Sequence, residues 1–394
     1  MTPTDEAGVV AAIRAASEPL AIIGNGSKSA MLRPVQAAAT LSTSGLTGVT
    51  FYSHNELVIS ARAGTPVAEL RAVVAERGQH LIAEPPELGA LLGSDRVGTI
   101  GGAVATNLSG PRRVAWGAIR DHVMGLTAVN GRGDVLRAGG RVLKNVTGLD
   151  FCKLLSGSHG TLAVITEVIL KVLPAPERRA TLVLKGQTPA EAVVALSAAL
   201  GSPYAVSGAA WLPADLAARV PALGWLGGNV TLARLEDFAP SVAYRSERLR
   251  ADLAAFGAVE MLDDAASAAV WADIANVAPL VGVPGGLWKI SVRPSRGPAV
   301  VAALQAAGAN CLMDWGGGLV WVAGPATEAT HAAVEGAAHA AGGVWTLMRA
   351  PDALRSAVAV IPPEAAALAA IGARVKAAFD PRGILNPGRM VGGV

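Results

Sequence analysis

Hydrophobic positions over the first 175 residues switch between two periods. Residues 9–18 read as a short helix, and Leu20-Ala21-Ile22-Ile23 is an apolar run stopped by Gly24, the pattern of a buried strand. Residues 56–63 alternate as a strand closed by Gly64. Thr65-Pro66 then opens a helix to about Gly78, with Thr65 as N-cap, Pro66 in the first helical position, and Val67, Leu70, Val73 and Val74 on the apolar face. Leu81-Ile82-Ala83 is a short strand halted by Glu84-Pro85-Pro86. Residues 123–129 and 134–137, joined by Asn130-Gly131-Arg132-Gly133, predict a hairpin. A β-rich run over 161–173 ends at Pro174-Ala175-Pro176, which marks the first domain boundary.

Beyond that boundary strands and helices alternate. Residues 181–185 are a strand, and Thr188-Pro189-Ala190-Glu191 is a capping box opening a helix to about Leu200. Strands follow near 230–234 and 287–292, with paired strands near 310–323; helices fall near 241–256, 264–275, 298–307 and 327–341. This order predicts an α+β layer with antiparallel pairs and its helices on one face. A last helix over 364–379 precedes Asp380-Pro381-Arg382-Gly383-Ile384-Leu385-Asn386-Pro387-Gly388-Arg389.

Length and composition narrow the function. At 394 residues, two domains is the natural expectation, and 52% hydrophobic with 16% charged residues describes a folded chain. No run of about 20 apolar residues predicts a membrane-spanning helix, and the N-terminus has neither the basic nor the apolar region of a secretory signal. A net charge of +3 without a dense basic stripe argues against nucleic acid. Cys152 and Cys311 cannot form an iron–sulfur cluster or a disulfide framework and read as buried small hydrophobes; no metal site is expected. Redox chemistry here would need an organic cofactor.

Three glycine-rich segments carry the candidate chemistry: Gly24-Asn25-Gly26-Ser27-Lys28, Val97-Gly98-Thr99-Ile100-Gly101-Gly102-Ala103, and Gly157-Ser158-His159-Gly160-Thr161-Leu162-Ala163. Glycine lets a ligand approach the main chain closely, and successive outward amides form a nest for anionic oxygens. Several nests on one domain suit a dinucleotide with a central diphosphate. The first segment fails as a Rossmann loop, because Ser29 replaces the third glycine and no acidic residue closes a second strand, and it lacks the leading glycine of a P-loop.

The order of the three segments, with the hairpin between the last two, resembles the FAD-binding domain of the vanillyl-alcohol oxidase and p-cresol methylhydroxylase flavoproteins. That resemblance implies a cofactor set of Gly24, Asn25, Gly26, Ser27 and Lys28 in the first loop. Pro85, Gly98, Thr99, Ile100, Gly101, Gly102 and Asn107 follow in the second region. Gly157, Ser158, Gly160, Thr161 and Ile165 complete the third, with Asn386 from the C-terminal segment. No histidine stands in the first loop, so noncovalent FAD is expected.

Further blocks sharpen the likeness: Glu84-Pro85-Pro86, Gly110-Pro111-Arg112-Arg113, Arg120-Asp121, Gly140-x-x-x-Lys144-Asn145-Val146-Thr147-Gly148-x-Asp150, Leu287-Trp288-Lys289-Ile290-Ser291, Asp314-Trp315-Gly316-Gly317 and the closing Asn386-Pro387-Gly388-Arg389-Met390. Together they are similar to the family of FAD-binding subunits of bacterial glycolate oxidases, over about residues 20–390. The resemblance implies a two-part flavin domain at 1–175, an α+β cap with an antiparallel sheet at 176–360, and a C-terminal segment, 361–394, returning near the flavin. It also implies a second flavoprotein subunit and an iron–sulfur subunit as partners, and a small 2-hydroxy acid as substrate. The expected location is the cytoplasm, or the inner-membrane periphery through those partners.

Oxidising a 2-hydroxy acid needs a cationic clamp for the carboxylate and a base for the hydroxyl proton. Arg112, Arg113, Lys144 and Arg389 are the clamp candidates. The base is missing. Related catalytic subunits carry a His-rich motif in the second domain that this chain lacks, and His331 and His339 read as solvated helix residues. His159 falls in the third nest, to contact the cofactor or cap the turn, and Trp116 beside the arginine pair is a candidate docking anchor. Three readings stand: an FAD subunit acting within a complex, a self-sufficient 2-hydroxyacid dehydrogenase, and a scaffold without flavin.

Overall fold

A computed structural model describes residues 1–141 and 149–392. The chain divides into two compact units: residues 1–109, 118–174 and those from Pro363 onward form one, and Gly110–Gly117 with Ala175–Pro362 form the other. The boundary after Pro174 falls at the proline pair. The eight residues Gly110–Gly117 belong to the second unit, although they lie inside the stretch expected to be flavin domain.

The first unit has two cores. Strands Val49–Ser53, Val58–Arg62, Ala163–Pro174, Val123–Asn130 and Val135–Gly139 form an antiparallel sheet in that order, with Gln79–Leu81 pairing the far end of Ala163–Pro174. Ile59, Leu70, Ile100, Val104, Leu126, Leu155 and Val168 bury their side chains between that sheet and its helices. The second core joins the helix Glu6–Ala15, the parallel pair Leu20–Ile23 and Ala39–Ser42, and the C-terminal Ile384 and Leu385.

Local chemistry shifts two helix starts. Asp5 accepts from the Gly8 amide at 2.7 Å, so the first helix begins at Glu6 instead of residue 9. The second helix is Val67–Ala75 with Pro66 as its N-cap. The Thr65 hydroxyl instead accepts from the Gly48 amide at 3.0 Å, tying the turn to the preceding loop.

The second unit is built on an eight-stranded antiparallel sheet. Its order is Val259–Leu262, Arg178–Lys185, Val230–Asp237, Gly208–Leu212, Asn310–Asp314, Leu319–Gly324, Gly286–Ser291 and Val344–Arg349. The alternation of side chains gives this sheet two unlike faces. Leu182, Ala233, Met313, Ile290 and Trp288 share the apolar one, covered by the helices Pro189–Gly201, Ala239–Leu253, Gly297–Ala306 and Glu328–Ala340. The helix Asp264–Ala275 lies against the other face, where Trp271 Nε1 donates to Thr181 Oγ1 at 2.8 Å, so the helices are not confined to one side.

His331 corrects an expectation. It is 3% exposed, not solvated: Trp288 Nε1 donates to its Nδ1 at 3.1 Å, and Trp345 packs edge-on with ring centroids 4.9 Å apart. An indole nitrogen only donates, so the imidazole is held in the tautomer protonated at Nε2, facing Glu335 at 3.3 Å. Burial lowers its pKa, against the pull of Glu335. Cys152 and Cys311 are buried free thiols, pushed up to about 11 and about 12 mainly by desolvation.

Candidate functional site

The strand Leu20–Ile23 delivers the first glycine loop. Its carbonyls are engaged by the protein: Gly24 O accepts from Ser42 Oγ at 2.7 Å, Asn25 O from Arg96 at 3.4 Å, and Gly26 O from Ser29 N at 3.3 Å. Lys28 O accepts from Arg389 at 3.1 Å. The consecutive amides of Asn25, Gly26, Ser27 and Lys28, by contrast, meet no acceptor among the described residues. Gly26 has φ +81°, which turns the loop and favours glycine. A Cβ on Gly24 would fall 2.5 Å from Thr99 Oγ1, so the loop lies directly against the second segment. The Lys28 ammonium, 3.4 Å from Ser27 Oγ, has its pKa lowered by burial, an effect partly offset by Glu87. A row of unsatisfied donors beside a half-buried cation is suited to a polyanion.

The second segment differs. Gly98 N donates to Glu87 Oε2 at 2.9 Å, Ile100 N to Thr65 O at 2.9 Å, Gly101 N to Ala63 O at 2.8 Å, and Gly102 N to the N-cap Thr99 Oγ1 at 3.2 Å. These amides are committed, which corrects the idea of a second open nest. A Cβ on Gly101 would fall 2.5 Å from Ala63 Cβ, so this glycine is needed for close packing of the helix Ile100–Thr106. Asn107 ends that helix in the left-handed region at φ +49° and packs on Gly157. Pro85 is buried, and its carbonyl accepts from Arg71.

The third turn is tied to the end of that same helix. Gly157 N donates to Val104 O at 3.1 Å and His159 N to Ala105 O at 2.8 Å. Ser158 Oγ donates to Leu155 O at 2.8 Å, and Thr161 Oγ1 to Ser158 O at 2.7 Å. The Gly160 amide meets no acceptor among the described residues. Asn386 joins this turn to the first strand, accepting from Ile22 N at 2.7 Å and donating to Ile22 O at 3.1 Å and His159 O at 2.8 Å. Ile165 lies in the hydrophobic core of its strand.

The clamp candidates separate. Arg112 forms a buried bidentate pair with Glu236, at 2.6 and 3.0 Å, alongside Arg234 at 3.2 Å and Ser207 at 2.7 Å. Burial would raise the Glu236 carboxyl, but the Arg234 charge and the Arg112 bonds hold it at about 2. Arg389 is likewise committed, to the carbonyls of Lys28, Ser29 and Arg33. Neither is a substrate clamp, because their donors serve the fold. Lys144 lies outside the described residues. Arg113 stacks over Trp315 at 4.5 Å, and Trp315 Nε1 donates to Gly110 O at 3.2 Å. The strand register places Lys289 on the same sheet face as Arg234 and Glu236. Its pKa falls to about 8 through burial and the nearby Arg113 charge. Lys289 carries no separate signal in the sequence, since one lysine in an apolar strand reads as an edge or solvent-facing position.

Comparison with known proteins supplies the family. The FAD binding domain family matches residues 1–139. Glycolate oxidase subunit GlcE of Escherichia coli K12 is 34% identical over 373 residues, covering 94% of this chain and 92% of that protein. The chain belongs to the GlcE family.

This GlcE-family chain also matches glycolate oxidase subunit GlcD of Bacillus subtilis, at 30% identity over 149 residues, 38% of the chain and 30% of that protein. Its fold is that of 4-ethylphenol oxidase from Gulosibacter chungangensis, with a TM-score of 0.72 at 15% identity, covering 100% and 89% of the two chains. It is therefore an FAD-dependent oxidoreductase family member with the p-cresol methylhydroxylase-type α+β fold, and FAD is its cofactor. The four amides at 25–28 fit that cofactor, since a diphosphate supplies the acceptors they lack. Among the described residues no group of His, Cys, Asp and Glu could hold a metal ion, and no helix is long and apolar enough to cross a membrane.

Proposed function

We propose that this chain is the FAD-binding subunit of a glycolate oxidase complex, supporting oxidation of glycolate to glyoxylate and passing electrons to an iron–sulfur partner subunit. The near full-length likeness to GlcE of E. coli carries this reading. Bound FAD supplies the two-electron acceptor. The amides of residues 25–28 bind its diphosphate, with Lys28 balancing the charge and the third turn holding another part of the dinucleotide. A second flavoprotein subunit would complete the complex, located in the cytoplasm or at the membrane periphery through its partners.

In the second unit the histidines His331 and His339 sit on the helix Glu328–Ala340, against the sheet face opposite Lys289. The Lys289 face therefore brings two cations, Lys289 and Arg113, near each other without an imidazole base, which supports action within a complex. One observation favours a self-sufficient 2-hydroxyacid dehydrogenase instead: Lys289, with a pKa of about 8, can accept a proton near neutral pH. Dye reduction by the purified holoprotein decides between them. The expected result is a flavin absorption band with no turnover of glycolate or D-lactate by the chain alone, and recovery of turnover with its co-purified partners. Rapid turnover by the lone chain, abolished in Lys289→Met, would establish the second reading.

A further inference from the structure

We propose that the C-terminal segment from Asp380 to Gly392 is a strap whose Arg389 orients the cofactor loop, so that FAD affinity depends on the docking of a segment some 360 residues away in sequence. The inference rests on the reading of residues 25–28 as the diphosphate site. A peptide unit is planar, with its N–H and C=O pointing in opposite directions. Holding a carbonyl against the protein aims the amide of the next residue the other way. The bonds to Gly24 O, Asn25 O and Gly26 O thus aim the amides of Asn25, Gly26 and Ser27, and these bonds need the loop held at both ends. Arg389 Nη2 donates to Lys28 O at 3.1 Å, while Nη1 donates to Ser29 O at 3.3 Å and Arg33 O at 2.9 Å. Arg33 N returns a bond to Arg389 O at 3.2 Å. One guanidinium fork thus pins the C-terminal end of the loop, directly after the four unsatisfied amides.

The strap is registered against the strand that delivers the loop. Leu20 N donates to Ile384 O at 2.8 Å, and Asn386 N to Leu20 O at 3.1 Å. The Asn386 side chain bonds both polar groups of Ile22 and also His159 O. A single segment therefore touches the first and third turns at once. Arg389 is a positioning residue: its guanidinium bonds carbonyls at the end of the loop and acts on the cofactor through it. Cofactor binding and strap docking then stabilise each other by linkage.

The test measures FAD and ADP binding to apoprotein by calorimetry for Arg389→Ala, Arg389→Lys, Arg382→Ala and Gly26→Val. ADP serves as a probe carrying the diphosphate without the flavin. Arg382 is the internal comparison, because it holds Ile13 O, Ala16 O and Gly131 O in the same segment without touching the loop. Arg389→Ala should weaken both ligands about tenfold or more, the scale of losing charge-assisted bonds. Arg389→Lys should recover part of that loss, and Arg382→Ala should lower the melting temperature while leaving both affinities near the parent's. Gly26→Val separates the two readings. If it leaves both affinities unchanged, the diphosphate site is elsewhere; if it weakens them while Arg389→Ala does not, only the strap inference is overturned. Should Arg389→Ala fail to fold, hydrogen exchange on the parent chain decides. FAD should protect the amides of residues 384–392 together with those of the loop, and unchanged exchange in 384–392 overturns the inference.

Discussion

Two glycine-rich turns of the first unit lie against each other and use glycine for opposite purposes. In the loop at 24–28 the carbonyls of Gly24, Asn25, Gly26 and Lys28 are tethered, and the amides of residues 25–28 are left over. In the segment at 98–102 the amides of Gly98, Ile100, Gly101 and Gly102 all find acceptors within the protein, and glycine serves to let a helix approach Ala63. Glycine content alone does not distinguish a ligand cradle from tight packing. What distinguishes them is where each N–H goes.

The largest test of that contrast is Gly101→Val. The added side chain collides with Ala63, so the expected result is a loss of roughly 2–3 kcal/mol of stability, read by thermal or denaturant unfolding of the apoprotein. A variant that melts like the parent and merely sheds flavin would make the second turn a ligand cradle as well. Gly26→Val strikes the other turn: forcing a branched residue to positive φ costs about 1–2 kcal/mol. Because the loop can relax, this should register as about tenfold weaker FAD binding with little change in melting. Lys28→Met should weaken FAD several-fold, by about 1 kcal/mol, and flatten its salt dependence. Burial lowers the Lys28 pKa below 10.5, so the parent's affinity should decline with rising pH before an ordinary lysine would titrate, while the Met variant shows no such decline. Thr99→Ala removes only a helix cap, costing about 0.5–1 kcal/mol in stability with FAD affinity unchanged; a large affinity loss there would blur the distinction between the turns.

Much of the fold was legible because local chemistry and tertiary structure agree. The capping box at Thr188 and Glu191 forms as expected, with Glu191 held below the usual carboxylate range by its bonds to the Thr188 backbone and hydroxyl. The hairpin at 123–139 and the helix Asp264–Ala275 also fall where their patterns place them. The strand Gly208–Leu212 was not visible, since Gly-Ala-Ala-Trp-Leu has neither alternation nor β-branched residues. It is central to the sheet because the Trp271 ring lies where a Gly208 Cβ would be, at 2.8 Å. Of the candidate site, the segments could be read but not their division of labour. Arg112 and Arg389 look like exposed clamps in a one-dimensional chain, and only long-range partners at Glu236 and Lys28 reveal where their donors are spent.

The helix Ala366–Phe379 is held at one end. Near its last turn Lys376 Nζ reaches Thr161 O at 2.7 Å, Leu385 O at 2.9 Å and Asp380 Oδ2 at 2.7 Å, and Phe379 meets Phe151 edge-on. Its first turns, with Leu368 and Ile371 facing outward, bury nothing. Anchored only at its far end, such an element must sustain its first turns by the intrinsic propensity of its alanines, so those turns should exchange their amide hydrogens well before the last turn does.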